Sequence, residues 1–140
     1  MLLLVSESSM QEAWEARRGE LEAKLGSLDV DPIAGALMFD RDQGIRKTVH
    51  LLVLAEGLGM LFQPIWQKKG SNGMLLLPWS DLGQYSFHLG LLDLHLQLKL
   101  KDGRLYRLKL PRRNSKRIPA QARRVQMLLA SLEKRLGSAK

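Results

Sequence analysis

Residues 94–110, LHLQLKLKDGRLYRLKL, decide the fold of this chain. Leucine occupies every second position from Leu94 to Leu100, and polar or basic residues fill the positions between. This period of two is typical of a half-buried β-strand. Asp102-Gly103 marks a turn, after which the same alternation resumes from Tyr106 to Leu110. The stretch therefore predicts a β-hairpin with one apolar face and one basic face.

The register of this hairpin follows from which residues must share a face. A two-residue turn would place Leu98 opposite Arg107 and put a charge on the apolar face. A three-residue loop over 101–103 instead pairs Leu98 with Tyr106 and gives Gly103 the left-handed position of the turn. We expect this register because a slip by one residue would bury charges. The other expected pairs are Leu96 with Leu108 and Leu94 with Leu110.

Two helices and five further strands are expected outside the hairpin. An N-terminal helix over 6–25 is followed by a linker that contains Asp29 to Pro32. A C-terminal helix extends from near Pro119 to Leu136, and its amphipathic stripe should cover the open apolar face of the sheet. The other strands are expected at 33–39, 48–55, 58–66, 74–79 and 84–89.

Seven strands followed by one helix resemble the pleckstrin-homology-like superfold, and within it the GRAM and bacterial PH-type domains. The motifs behind this resemblance are the strand end Pro78-Trp79-Ser80-Asp81-Leu82 and the Asp-Gly-Arg turn at 102–104. The resemblance covers about residues 33–136. It implies an α+β, mainly β fold: a seven-stranded antiparallel split barrel capped by the C-terminal helix, with the N-terminal helix as an addition.

The expected domain organisation is an N-terminal helix and linker over 1–31, then one PH/GRAM-like domain over 32–140. A chain of 140 residues buries roughly 68–70% of its unfolded surface, so it needs no disulfide or metal to fold. The chain has no cysteine, which excludes disulfides and thiolate zinc sites.

The sequence also bears on where the protein resides. The apolar start, Leu2 to Val5, has no basic residue before it and is too short for a signal-peptide core. No apolar run approaches the ~18 residues that a membrane span requires. We therefore expect a cytoplasmic protein with no transmembrane segment, and peripheral attachment to a membrane is the alternative.

The formal net charge of +8 is unevenly distributed. Residues 1–97 contain 8 Lys+Arg and 12 Asp+Glu, whereas residues 98–140 contain 14 Lys+Arg and 2 Asp+Glu. A basic C-terminal third indicates either an anionic partner or a solvated face that the acidic N-terminal helix partly neutralises. The candidate anion- or partner-binding residues are Lys109, Arg112, Arg113, Lys116, Arg117, Arg123 and Arg124.

Phosphate is the anion that this segment suits best. Adjacent arginines offer paired donors to a phosphate, and a nucleic acid would also gain from counterion release. The segment lacks the interleaved aromatic residues that stack on bases. The resemblance implies a second location, the loop over 40–49, where PH domains bind phosphoinositides. The basic residues of this loop are Arg41, Arg46 and Lys47. Asp40 and Asp42 accompany them and would repel a phosphate.

A second candidate surface lies on the N-terminal helix. Trp14, Leu21 and Leu25 fall on one narrow stripe, which is thin for a helix that packs in a core. The stripe is interpreted as a surface that either lies across the edge of the domain or docks a partner helix.

No pattern predicts a catalytic, cofactor or metal site. Asp93 and His95 share a strand face, but two residues cannot complete a zinc site. No Gly-x-Ser-x-Gly or Walker motif occurs. Trp79 is interpreted as structural, with its ring buried at a strand end and its indole N–H bonded to one partner.

We therefore expect a non-enzymatic binding module that docks a protein partner or its own copy. The alternative is a binder of anionic surfaces, membrane phospholipid or nucleic acid, through residues 109–124. A small hydrolase or metal enzyme built on Asp93 and His95 is the least favoured interpretation. No cofactor is expected.

Overall fold

The computed structural model describes residues 7–40, 45–62, 74–116 and 118–139. The described chain has two helices and seven strands, and it is mainly β. In chain order the elements are α1 (Glu7–Leu25), β1 (Leu28–Asp40), β2 (Ile45–Leu54), β3 (Gly57–Phe62), β4 (Met74–Pro78), β5 (Leu82–Leu89), β6 (Asp93–Leu100), β7 (Leu105–Pro111) and α2 (Gln121–Leu136).

The strands form an open antiparallel sheet rather than a barrel. Their order is β4-β3-β2-β1-β7-β6-β5, so β2–β4 and β5–β7 are two groups of three strands on either side of β1. In the described part of the chain, β4 and β5 are the two edges and are not paired with each other. The predicted seven-stranded PH-like split barrel is therefore wrong, although the broader α+β class agrees with the structure.

A short turn joins β4 to β5, the two edge strands of the sheet. β4 ends at Pro78, which has no N–H to donate to a neighbouring strand. The chain then makes a short 3₁₀ turn over Trp79–Asp81 and enters β5 directly. The Trp79 indole N–H donates to the Ala55 carbonyl at 3.1 Å and contacts the Leu54 carbonyl at 3.3 Å. The predicted hydrogen bond of the indole N–H is present, whereas the Trp79 ring is only partly buried against the core.

The hairpin of β6 and β7 has the predicted register. Leu98 lies opposite Tyr106, and the pairs of Leu96 with Leu108 and Leu94 with Leu110 follow. Gly103 has a φ of +96° in the three-residue loop. Asp102 closes the loop by accepting hydrogen bonds from the Arg104 main-chain N–H at 3.0 Å and from its guanidinium at 2.8 Å. These bonds, the main-chain one first, lower the pKa of Asp102.

The predicted linker between the first helix and the sheet belongs to a strand instead. α1 ends at Gly26, which has a φ of +81° and donates its N–H to the Glu22 carbonyl at 2.9 Å. β1 begins at Leu28, two residues later. Its pairing with β2 shifts register three times between Leu28 and Ala36, and such bulges let an irregular sequence containing Pro32 remain in a strand.

One face of the sheet packs against α2, and we call it the inner face. Buried leucines of the hairpin, including Leu96 and Leu108, form one cluster with Val125, Leu128 and Leu132 of the helix. The prediction that the C-terminal helix covers the apolar face of the sheet is confirmed.

α1 packs on the opposite, outer face of the β2–β4 group. Neighbouring residues of β2 point to different clusters: Leu51 joins the α2 cluster, whereas Leu52 and Leu54 pack with Leu21 of α1. Because side chains alternate along a strand, the two helices lie on opposite faces. Gly59 permits this approach, since a Cβ there would lie 3.3 Å from Leu21 Cδ2.

The outer face of the β5–β7 group, by contrast, presents polar and basic side chains to solvent. His95 and Lys99 of β6 and Arg107 of β7 are exposed on it. In the described ranges, no helix has the length and hydropathy that crossing a membrane requires.

Candidate functional site

The two edges of the sheet differ in how well they are protected against pairing with another strand. β4 has five residues and ends in proline, which are two common protections of an edge. β5 has eight residues and contains no Lys, Arg, Asp or Glu. An uncharged edge strand of this length is a template for strand addition.

Exposed apolar side chains are concentrated where β5 ends. Phe87 and Leu89 of β5 are 41% and 47% exposed, and Leu91 and Leu92 in the following loop are 75% and 61% exposed. Clusters of exposed apolar side chains of this kind mark interaction sites. We call the surface formed by β5 and the two exposed leucines of the following loop, Leu91 and Leu92, the β5 edge.

The loop that carries Leu91 and Leu92 is firmly held. The Gly90 N–H donates to the Asp93 carbonyl at 2.8 Å, and the Arg112 N–H donates to the Leu92 carbonyl at 3.0 Å. The Arg112 guanidinium donates to the Gly90 carbonyl at 2.6 Å, and the Arg113 guanidinium to the Leu91 carbonyl at 3.1 Å. These bonds hold the main chain that carries the two exposed leucines, so a partner would meet a preformed loop.

Phe87 and Leu89 are exposed although they share the inner face with buried residues. Tyr85, two positions earlier, is buried, and its hydroxyl donates to the Gly137 carbonyl at 3.0 Å just beyond the end of α2. α2 thus covers β5 at Tyr85 but leaves the other end of the strand open. The alternation in the sequence predicts one apolar face here but not which part of it is covered.

A groove of about 590 Å³ lies on the outer face of the β5–β7 group. It is called the basic groove below. Leu96 and Leu108 are buried on the inner face, so alternation directs the side chains of their strand neighbours outwards into the groove. The outward side chains that line it are Ser86, His88, His95, Gln97, Arg107 and Lys109.

Strand register arranges these six side chains in two rows across the sheet. His95 lies opposite His88 on one side and Lys109 on the other, and Gln97 lies between Ser86 and Arg107 in the same way. The rings of His88 and His95 have centroids 6.2 Å apart and are tilted by 41°.

One carboxylate borders the basic groove. The Asp93 carboxylate lies 3.6 Å from the Lys109 ammonium, in an ion pair that is partly exposed. Arg107, in the neighbouring row, is exposed. The predicted pairing of Asp93 and His95 on one face is therefore present, but the carboxylate is directed to a lysine.

The structure distributes the predicted anion-binding residues over several elements. Lys109 lines the basic groove, whereas Arg112 and Arg113 hold the loop of the β5 edge. Lys116 is exposed after β7, and Arg123 and Arg124 lie on α2, with Arg123 the more exposed. Arg117 lies outside the described residues, as do residues 41–44 of the predicted phosphoinositide loop.

The predicted docking stripe of α1 faces its own sheet. Trp14, Leu21 and Leu25 are buried in the cluster that contains Leu52 and Leu54 of β2. Packing within the chain accounts for this stripe, and most of the large apolar side chains exposed in the described part of the chain lie at the β5 edge.

Potential metal ligands are not grouped among the described residues, and one of the three histidines is buried. Within residues 7–40, 45–62, 74–116 and 118–139, no three His, Asp or Glu side chains are grouped so that they could hold a metal ion. The third histidine, His50, is buried in β2, and burial lowers its pKa to about 4. It is a neutral core residue near pH 7.

Comparison with protein-family models and with curated proteins finds no match to this sequence. The likeness to GRAM and bacterial PH-type domains therefore remains a prediction from short motifs. The function must be argued from the two surfaces that the sheet presents, the β5 edge and the basic groove.

Proposed function

We propose that this chain is a non-enzymatic binding module that pairs with a second copy of itself through the β5 edge. The observation that carries this proposal is the contrast between the two sheet edges. β4 is short and ends in Pro78, whereas β5 is longer and is accompanied by exposed Phe87 and Leu89.

A second copy suits the β5 edge because the strand is complementary to itself. Two β5 strands related by a twofold axis pair in antiparallel fashion, which is the symmetry of most homodimers. Since β5 has no Lys, Arg, Asp or Glu, such a pair sets no permanent like charges of the strand opposite one another. A register that keeps Phe87 and Leu89 of both copies on the inner face also joins their apolar surfaces.

The exposed loop adds to the surface that pairing would bury. Leu91 and Leu92 adjoin the end of β5 and are held by hydrogen bonds to Arg112 and Arg113. A preformed loop loses little conformational freedom on binding, which favours association.

The proposal is tested by measuring the oligomeric state of the wild-type chain and of Phe87→Lys by sedimentation velocity. The wild-type chain is expected to be a dimer and the variant a monomer, because lysine on an edge strand opposes pairing with another strand. Gln126→Lys is the matched control, since it adds the same charge at an exposed position of α2. The control is expected to remain a dimer.

Cross-linking provides a second measurement that keeps β5 uncharged. The chain has no cysteine, so Ser86→Cys introduces one thiol on β5 and Ser80→Cys introduces one in the turn between β4 and β5. A short bismaleimide should join two Ser86→Cys chains and leave Ser80→Cys chains unjoined. A wild-type chain that stays monomeric at every concentration, or equal cross-linking of the two variants, would overturn the proposal.

We place the module in the cytoplasm as part of the same proposal, because a cysteine-free chain suits a reducing compartment. Fractionation of the native host should recover it in the soluble fraction. Recovery with membranes at low salt, and release by high salt, would instead support peripheral attachment.

A further inference from the structure

The basic groove carries an inference that does not depend on pairing of the β5 edge. Across the three strands a lysine, Lys109, lies opposite His95, which in turn lies opposite His88. Arg107 adds a permanent charge in the next row. Asp93 pairs with Lys109 and partly offsets its charge, so the groove still presents positive charge to an anion through Arg107.

The groove combines three kinds of contact. Arg107 and Lys109 supply charged donors for phosphate oxygens, and Arg can donate two parallel hydrogen bonds. The exposed rings of His88 and His95 present planar faces on which a base can stack. Gln97, in the middle of the row that contains Arg107, offers both a donor and an acceptor to the edge of a base.

Basic residues continue beyond the groove in both directions along the strands. Lys99 is exposed on the outer face of β6 toward the hairpin turn, and Lys101 is exposed in the turn itself. At the opposite end, Arg113 and Lys116 are exposed after β7. A linear polyanion that follows the strand direction would therefore meet cations before, within and after the groove.

We propose that the basic groove binds single-stranded nucleic acid, with phosphates on Arg107 and Lys109 and bases against His88 and His95. The combination of planar rings, an amide and fixed cations in a concave site favours a nucleotide chain over a flat lipid surface. The site differs from the segment 109–124 predicted from sequence, because it shares only Lys109 with that segment.

The test is fluorescence anisotropy of a short, unstructured single-stranded oligothymidine, titrated with the full chain at increasing salt. Arg107→Gln is expected to weaken binding by about tenfold and to lessen the slope of log affinity against log salt by about one. Lys134→Gln is the control, because it removes an exposed cation from α2 on the other side of the sheet. Its effect is expected to be small.

Stacking is tested separately with an abasic strand of the same length. The wild-type chain is expected to prefer the strand that contains bases, and the double variant His88→Ala/His95→Ala to lose this preference while it still binds both strands. A surface that binds only by electrostatic attraction would bind the abasic strand and the strand with bases equally well, even in the wild-type chain.

Several results would overturn the proposal. They are no binding of the oligothymidine at low salt, equal losses in Arg107→Gln and Lys134→Gln, tighter binding of a duplex than of the single strand, or binding of vesicles rich in anionic phospholipid without binding of the oligothymidine. The last result would instead support the lipid alternative predicted from the sequence.

Discussion

His50 shows how one buried side chain couples the stability of this protein to pH. It lies in β2 opposite Leu61 and is buried, and desolvation lowers its pKa from 6.5 to about 4. Between these two values the unfolded chain binds a proton that the folded chain does not. The free energy of unfolding should therefore fall as pH decreases from about 6.5 to about 4.

The size of this effect follows from the pKa difference and is roughly 3 kcal/mol in total. We expect His50→Leu to remove this part of the pH dependence, as measured by urea unfolding at a series of pH values. Leu61→Val is the control, because it disturbs the same packing without removing a titratable group. It should lower stability similarly at every pH, and an unchanged slope in His50→Leu would contradict the prediction.

At the scale of elements, the hairpin of β6 and β7 was predictable in detail. Its alternation, its three-residue loop and its register all follow from keeping leucines together and charges apart. Strand boundaries elsewhere were less predictable. Bulges and irregular pairing, as in β1 between Leu28 and Ala36, do not produce a regular pattern in the sequence.

The turn of the hairpin gives a test at this scale. Gly103 has a φ of +96°, and no atom lies within 4 Å of where a Cβ would be, so Gly103→Ala should cost stability through backbone conformation alone. We expect a loss of about 1 kcal/mol. Gly19→Ala makes the same chemical change in the middle of α1, also in open space, and should raise stability by roughly 0.5–1 kcal/mol.

Chemical denaturation of both glycine variants measures these opposite signs. Equal changes in the free energy of unfolding would show that the left-handed conformation at position 103 does not require glycine for the stability of the hairpin. Because neither added methyl group meets another atom, a difference between the variants cannot be attributed to packing.

At the scale of the whole molecule, the net charge of +8 acts on the two proposed interactions in opposite ways. Two copies of the chain repel one another, and salt screens this repulsion. Binding of a nucleic acid releases counterions and is weakened by salt. We therefore expect the dimer to tighten and the oligothymidine complex to weaken as salt increases.

Sedimentation velocity and anisotropy over one series of salt concentrations measure both trends. A dimer that dissociates as salt rises would mean that charge pairs, rather than the apolar β5 edge, hold the copies together. That result would contradict the role proposed for Phe87 and Leu89.

The sequence by itself determined the local elements: the hairpin and its register, the two helices, and the alternation of apolar and basic faces. These properties depend on neighbours along the chain or on one strand partner, so a short pattern contains them. Only the tertiary structure decided that the sheet stays open between β4 and β5. Closure would require these two edge strands, which lie at opposite ends of the strand order, to pair with each other.

The tertiary structure also decided which apolar side chains are buried by another element. Tyr85, Phe87 and Leu89 alternate identically in the sequence, yet α2 reaches only the first of them. Trp14, on a thin stripe, is buried by its own sheet. The sequence gives each side chain a face, whereas burial depends on where a distant helix begins and ends. The β5 edge and the basic groove therefore became visible only in the folded chain.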